Sequence, residues 1–317
     1  MSVIKFKGIM FHHLHDNKKF QKSDGSITGK SLEKLINKIG KDNILNPNNL
    51  KNSDFLNDKK NNNKFFLTFD DGLKCQITIA SKILKKHNIK AFFFIFSSIL
   101  TKDVDLLEVY RDFRYTKYNN IDLFYEDFFN EIYNKFKIRT KFFFKENKLE
   151  IIRFKKVSPY YSLNDIKFRL VRNTLINEKK YKELMFYLFK KKKYNYKSQI
   201  KRLYMNKNDL KKIINEGHVV GLHSHNHSVK LDELSLRNQI KEFKINKNLL
   251  ENITKQRIFS ASYPFGNFNI NTIKALNKIG IEIAFKKNDT NNEFKRNLNL
   301  QIQRVNHTTL IKKYKIR

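Results

Sequence analysis

Short apolar runs and helical stripes of apolar residues alternate along both ends of this chain. Val3–Phe11 is short and largely β-branched or aromatic, which predicts a strand. In Ser31–Ile39 the residues Leu32, Leu35, Ile36 and Ile39 share one face and Gly40 can close the turn, which predicts a helix. Asn46–Asn63 is crowded with Asn, Lys and Asp and reads as loop. Lys64–Phe69 is an apolar run ending on Asp70-Asp71-Gly72, a strand followed by a turn. A helix over Ile77–His87, with Ala80, Ile83 and Leu84 on one face, leads to a buried strand over Ala91–Phe96.

The rhythm resumes late in the chain. Asn208–Glu216 predicts a helix with Leu210, Ile213 and Ile214 inward and Gly217 as its stop. His218–Leu222 reads as a strand, and Leu234–Asn252 as a long helix carrying Leu236, Ile240, Phe243 and Leu250. Strands over Ile258–Tyr263, Ile281–Phe285 and Ile302–Val305 and a helix over Asn271–Ile279 complete the pattern. Alternating strand and helix imply an α/β fold: a parallel sheet covered by helices, open or closed into a barrel. Between about Thr101 and Met205 the alternation stops. That segment is rich in Tyr, Phe and Lys, and Leu123–Phe136 carries Phe124, Phe128, Ile132 and Phe136 at helical spacing. The expected organisation is a domain of residues 1–100 and 205–317, with residues 101–204 a mainly helical insertion packing on it.

Composition adjusts this picture modestly. With 317 residues, 40% of them apolar, the chain can bury a sizeable core, and 29 Phe with no Trp make that core Phe-rich. The formal net charge of +35 raises nucleic acid, an anionic membrane face or an acidic glycan as partners. Lys is spread along the chain rather than gathered into one arm, as AT-rich coding would produce, and no nucleic-acid-binding motif accompanies it. A specific nucleic-acid partner is therefore not expected. Peripheral contact with an anionic membrane stays compatible with the charge, and the run Lys190–Lys193 is the one local cluster. The single cysteine, Cys75, excludes an intrachain disulfide. Met1–Phe11 does not read as a signal peptide, and the longest apolar run, Ala91–Leu100, falls short of the roughly 20 residues that span a bilayer. The expectation is a cytoplasmic protein.

Candidate chemistry sits where strands end. In parallel α/β domains the strand C-termini converge on one face. Asp70-Asp71 follow one strand, His223-Ser224-His225-Asn226-His227 another, and Tyr263-Pro264-Phe265-Gly266 a third. On a helix or a tight helical turn, His223 and His227 would put two imidazoles on one side, where an Asp oxygen could complete a three-ligand site with an open position for water. The second adjacent carboxylate is then free to take a proton from that water. A Pro-aromatic-Gly turn can aim a backbone N–H at an oxyanion. His12 and His13, at the end of the first strand, are candidates for the acid that protonates a leaving amine.

Together, Thr68-Phe69-Asp70-Asp71-Gly72, His223-Ser224-His225-Asn226-His227-Ser228 and Tyr263-Pro264-Phe265-Gly266 resemble, in order, the first three signature motifs of the polysaccharide deacetylases, the NodB-homology domain of carbohydrate esterase family 4. The resemblance covers about residues 1–100 and 205–306. It implies a distorted (β/α)7 TIM-like barrel. It also implies Asp70 as catalytic base, Asp71, His223 and His227 as ligands of a divalent ion with zinc the first candidate, and the backbone at Phe265 as a lining of the oxyanion hole.

The chain departs from the family pattern in three places. An Arg that opens the third motif and orients the base is replaced by Ala261-Ser262-Tyr263, and Arg304, on a late strand, is the candidate replacement. The Asp-Trp element is absent with Trp, and no late Leu-x-His motif is recognisable near Lys312–Arg317. A permuted branch, resembling the poly-N-acetylglucosamine deacetylases, carries that His on its first strand after an aromatic residue, and Phe11-His12 fits, with His13 the alternative. The resemblance implies metal-assisted hydrolysis of the N-acetyl amide of an amino sugar in a polysaccharide, glycolipid or nucleotide-sugar precursor of surface glycan. The alternative is a catalytically inactive glycan-binding protein on the same fold.

Overall fold

The computed structural model describes residues 6–51, 53–56, 58–102, 104–157, 161–287, 294 and 297–316. Residues 3–5 of the expected first strand, 52 and 57 of the expected loop, and 103 and 158–160 of the expected insertion lie outside them.

Seven parallel strands close into a barrel in chain order: β1 Lys7–Phe11, β2 Phe65–Phe69, β3 Phe92–Ile95, β4 Val219–Leu222, β5 Ser260–Ser262, β6 Ile283–Lys287 and β7 Ile302–Asn306. Closure comes from β1 pairing with β2 through Phe11 opposite Phe69, and with β7 through Gly8 opposite Arg304. This is the (β/α)7 barrel of the NodB type. Its lower interior is aromatic: Phe66, Phe92, Phe94 and Phe285 are fully buried and meet mostly edge to face or tilted, with ring centroids 5.2–6.1 Å apart. A barrel so filled is a packed core, and chemistry is left to its rim.

The helices form for local reasons. Thr28 caps Gly29–Ile39 by accepting from Ser31 N–H, Leu32, Leu35, Ile36 and Ile39 are buried, and Gly40 ends it at φ 83°. Lys207–Asn215 opens on a capping box between Asn206 and Asp209. The expected helix over Ile77–His87 is a π-helical turn, Gln76–Ala80, running into an α-helix, Ser81–Lys86. Leu236–Thr254 buries a different stripe from the one hydrophobicity alone indicates. Gln239, Phe243, Asn246, Leu250 and Ile253 are buried, while Leu236 and Ile240 are only half-buried. Asn246 is taken inward because it bonds backbone groups at the barrel top, and Gln239 because it donates to Leu234 O ahead of the helix. The expected loop before β2 contains short 3-10 turns, Pro47–Lys51, Ser53–Leu56 and Lys59–Asn61.

Contacts divide the chain into two compact units, residues 1–105 with 201–317, and residues 106–200. The second unit is built of helices and their connections, with no strand among its described residues. Its helices are Leu107–Thr116, Ile121–Phe136, Thr140–Glu146, Lys148–Val157, Leu163–Leu170 with a π-helical continuation Val171–Leu175, and Glu178–Lys191, before Tyr196–Leu203 leads back. It has its own core, in which Phe113, Phe124, Phe128, Phe168, Leu184, Met185 and Leu188 are buried. No helix among the described residues is long and apolar enough to cross a membrane.

Candidate active site

Asp70 and Asp71 leave β2 at the top of the barrel, and Asp70 N–H donates to Phe11 O of β1 (3.0 Å). Both carboxylates are buried, at 1% and 7% exposure. The turn at Asp71 requires a φ of 75°, and Ser224, His227 and Phe265 also lie in the left-handed region at 59°, 52° and 57°. Non-glycine residues there cost about 1–2 kcal/mol each, and such strain collects at functional sites.

His223 and His227 do not sit on a helical turn. They bracket an irregular loop after β4, and their rings approach because Ser224 and His227 turn the backbone left-handed. The expectation of helical spacing fails because the loop is fastened from outside. His225 and Asn226 N–H both donate to Glu242 Oε2, Asn226 Nδ2 donates to Glu242 Oε1, and Ser97 and Ser98 N–H donate to Ser224 and His225 O. His223 N–H donates to Asn246 Oδ1 (2.9 Å), and Asn246 Nδ2 donates to Ile95 O, which explains the buried Asn on the long helix. The second ring nitrogen of His223, Nδ1, lies 2.9 Å from Ser262 O, which leaves Nε2 facing the carboxylates.

Asp71 Oδ1 stands 3.3 Å from His223 Nε2 and 3.2 Å from His227 Nε2, and the three form a buried cluster with a metal-ligand composition. That oxygen is buried with no hydrogen-bond partner. A buried carboxylate oxygen without a donor, facing two imidazole nitrogens, fits a divalent cation. Burial by itself raises the Asp71 carboxyl, yet His12, His227 and His223 hold it well below the usual carboxylate range. Burial opposes charge on His227, yet the Asp71 carboxylate beside it raises its pKa.

Asp70 is held from three sides. Arg304 Nη1 donates to Asp70 Oδ1 at 2.7 Å, a fully buried pair, and Ser262 Oγ reaches Asp70 Oδ2 at 3.3 Å. Gln76 Nε2 donates to Asp70 O and to His12 O, tying the two strand ends together. Burial raises the Asp70 carboxyl, but Arg304, His223 and His12 outweigh it and keep it below the usual range. Arg304 rises from β7 through the barrel interior past Gly8, where a Cβ would lie 2.7 Å from Arg304 Cγ. Glycine at this position leaves room for the guanidinium's stem.

His12 Nε2 lies 3.8 Å from Asp70 Oδ2 and 4.0 Å from Asp71 Oδ2, with about a third of its side chain open to solvent (31%). His13 is half-buried, with its ring 6.2 Å from that of His12. Phe265 lies on the 3-10 turn Pro264–Gly266, its ring 4.8 Å from His227. That turn closes through Gly266 N–H to Tyr263 O and Asn267 N–H to Pro264 O, bonds in which the Phe265 N–H takes no part. Of the seven residues singled out in the sequence, His12, Asp70, Asp71, His223, His227 and Phe265 lie at one barrel rim, and Arg304 reaches it from within the barrel. Gln76, Glu242, Asn246 and Ser262 were not foreseen. A buried Asn or Gln on an apolar stripe is the one signal that could have found two of them.

The profile of the family described as polysaccharide deacetylase matches residues 57–113 and 173–284, more than half of the chain. The chain belongs to the polysaccharide deacetylase family. It is accordingly a hydrolase acting on N-acetyl amide bonds. Solved structures of the same fold include a de-N-acetylase from Aggregatibacter actinomycetemcomitans, at 12% identity over 98% of this chain and 99% of that one, TM-score 0.56. They also include IcaB from Ammonifex degensii (12% identity, 95% and 91% covered, TM-score 0.55) and the deacetylase PplD from Streptococcus pyogenes in complex with acetate (14%, 96% and 93%, TM-score 0.54). No curated protein matches the chain.

Proposed function

We propose that this member of the family is a metal-dependent N-deacetylase of an amino sugar, acting on a polysaccharide, glycolipid or nucleotide-sugar precursor in surface-glycan biosynthesis. The observation that carries the reading is Asp71 Oδ1, buried without a hydrogen-bond donor between two imidazole nitrogens, with a second carboxylate beside it. Asp71, His223 and His227 would hold the ion, zinc being the first candidate for a donor set of two imidazoles and one carboxylate. When bound, the ion supplies Lewis acidity and makes water acidic enough to lose a proton near neutrality.

The remaining chemistry belongs to the chain. Asp70, kept ionised by Arg304, is the base that takes a proton from the attacking water. Arg304 does here what an Arg in the third motif does elsewhere in the family, which accounts for Ala261-Ser262 in that place. The Phe265 N–H, unused by its own turn, donates to the oxyanion that forms as the acyl carbonyl is attacked. His12, beside both carboxylates yet open to solvent, gives a proton to the amine as the C–N bond breaks. Acetate and the free amino sugar are the products.

The direct test is acetate release from N-acetylated amino sugars presented free, nucleotide-linked, lipid-linked and polymeric, each with and without a chelator. Release that stops with the chelator, resumes with zinc and falls by roughly a hundredfold or more in Asp70→Asn is expected. Full release in that variant refutes the assigned base, and release indifferent to chelation refutes the metal.

A further inference from the structure

The helical unit of residues 106–200 contains a charge arrangement with no role in the amide hydrolysis. Arg114 and Arg169 meet one carboxylate, Asp165, and Arg172 stands over the Phe168 ring that Arg114 also faces. Arg169 Nε is hydrogen-bonded to Asp165 Oδ2, and Tyr125 OH donates to Asp165 Oδ1 at 2.7 Å. Both oxygens of Asp165 are thereby engaged, and the residue is 3% exposed. Arg114 Nη1 comes no nearer than 3.9 Å to Asp165. Its side chain is only 11% exposed, its Nε is buried without a hydrogen-bond partner, and its other neighbours are the rings of Phe168 and Phe124, at 5.0 and 5.8 Å. Arg172 also stands over Phe168, at 5.6 Å, and donates from Nε to Asn173 Oδ1.

Among the described residues Asp165 is the one carboxylate paired with these arginines, so positive charge exceeds negative there. All three arginines are half-buried; a half-buried guanidinium short of anionic partners is costly, and Arg presents planar forks that suit oxyanions. Arg172 lies on the π-helical turn Val171–Leu175, a distortion that is frequent at functional sites. The three arginines come from two stretches: Arg114 from Leu107–Thr116, and Arg169 and Arg172 from Leu163–Leu170 and its π-helical continuation. Burial, followed by the charges of Arg169 and Arg114, lowers the Arg172 pKa despite the nearby Tyr181. An anion between these groups would relieve that repulsion.

We infer that Arg114, Arg169 and Arg172 form a binding site for a doubly charged oxyanion of the phosphate type. It uses none of the residues given a part in the amide hydrolysis and does not depend on that activity. A phosphoryl group of a soluble sugar carrier and free phosphate share this chemistry.

Calorimetric titration of the full chain with inorganic phosphate, and separately with a sugar 1-phosphate, at constant chloride and ionic strength tests it. Saturable binding at one site is expected, with stronger binding of the ester pointing to the carrier and equal binding to free phosphate. Arg172→Gln and Arg114→Gln should each weaken it by roughly tenfold or more, since one charge-assisted contact contributes about that factor. The exposed-lysine variant Lys190→Gln/Lys193→Gln should bind as the parent does, which separates a built site from general attraction to a basic surface. Arg172→Lys, keeping the charge without the fork, should fall between parent and Gln. Far-ultraviolet circular dichroism checks that each variant is folded. If Arg114→Gln does not fold, Arg172→Gln at the more open edge decides alone. Binding that disappears with a chelator belongs to the metal centre and overturns the inference, as do undiminished binding in folded Arg172→Gln and the absence of saturable binding.

Discussion

The barrel and the helical unit solve the same problem, burying a Phe-rich sequence, in different ways. In the barrel, Phe66, Phe92, Phe94 and Phe285 come from three strands fixed in register by backbone pairing, so every ring position follows from strand order. In residues 106–200, Phe113, Phe124, Phe128 and Phe168 meet through helix packing alone, with centroids of contacting rings 4.9–6.4 Å apart. The barrel leaves its strand ends free for chemistry, whereas the helical unit uses its polar residues to satisfy itself or, around Arg114, leaves charge in excess. Precision at a reacting centre is easier to build on hydrogen-bonded strands than on helices held by side chains.

Perturbing the two regions separately sharpens this contrast. The largest effect is expected from His223→Ala, which should remove bound metal and with it all turnover while the helical unit keeps its circular dichroism. Elemental analysis showing a full metal complement in that variant would contradict the ligand assignment. Asp70→Asn should retain metal yet lose on the order of 10²–10⁴ in kcat, the usual contribution of a positioned general base. In the other region, Phe128→Ala should destabilise residues 106–200 by about 3–5 kcal/mol, the usual cost of emptying a buried aromatic position. Chemical denaturation should then resolve an early transition, with metal still bound below it. A single transition that carries the metal away would show that the two cores unfold as one.

Subtler tests act within the barrel. Gly8→Ala should push the Arg304 stem aside and lower kcat/KM by roughly 10- to 100-fold, about 1.4–2.7 kcal/mol of barrier, without loss of metal. Unchanged kcat/KM would mean that Arg304 does not govern Asp70. The smallest effect is one of pH. His218 accepts the Ala91 N–H on Nδ1, and burial pushes its pKa down to about 4. Between pH 4 and the unfolded value near 6.5 the unfolded chain binds the extra proton, so stability falls with acidification through that window. Moving from pH 7 to 5.5 should cost about 1 kcal/mol in the parent, by this shift alone, and less in His218→Gln, measured by urea denaturation.

How much of this was legible in the sequence differs from element to element. The stripe Leu32, Leu35, Ile36, Ile39 was read correctly because a helix on a barrel needs one apolar face, and periodicity reports that directly. The stripe of Leu236–Thr254 was misread because Asn246 and Gln239 are buried for hydrogen bonds to backbone groups outside the helix, which periodicity does not encode. The His pair was identified by composition and spacing, but its spacing works through a left-handed loop pinned by Glu242 rather than through a helix.

The sequence by itself determined the alternation of strand and helix, the family motifs and the donor types at the strand ends, because these depend on local periodicity and residue chemistry. The tertiary structure decided the rest. Barrel closure set Arg304 of the last strand opposite Gly8 of the first and so within 2.7 Å of Asp70. Helix packing brought Arg114 to Asp165, 51 positions further along the sequence, where Arg169 of the Asp165 helix already binds it. Contacts between residues so distant along the chain exist only once the intervening chain has folded, and no local pattern carries them.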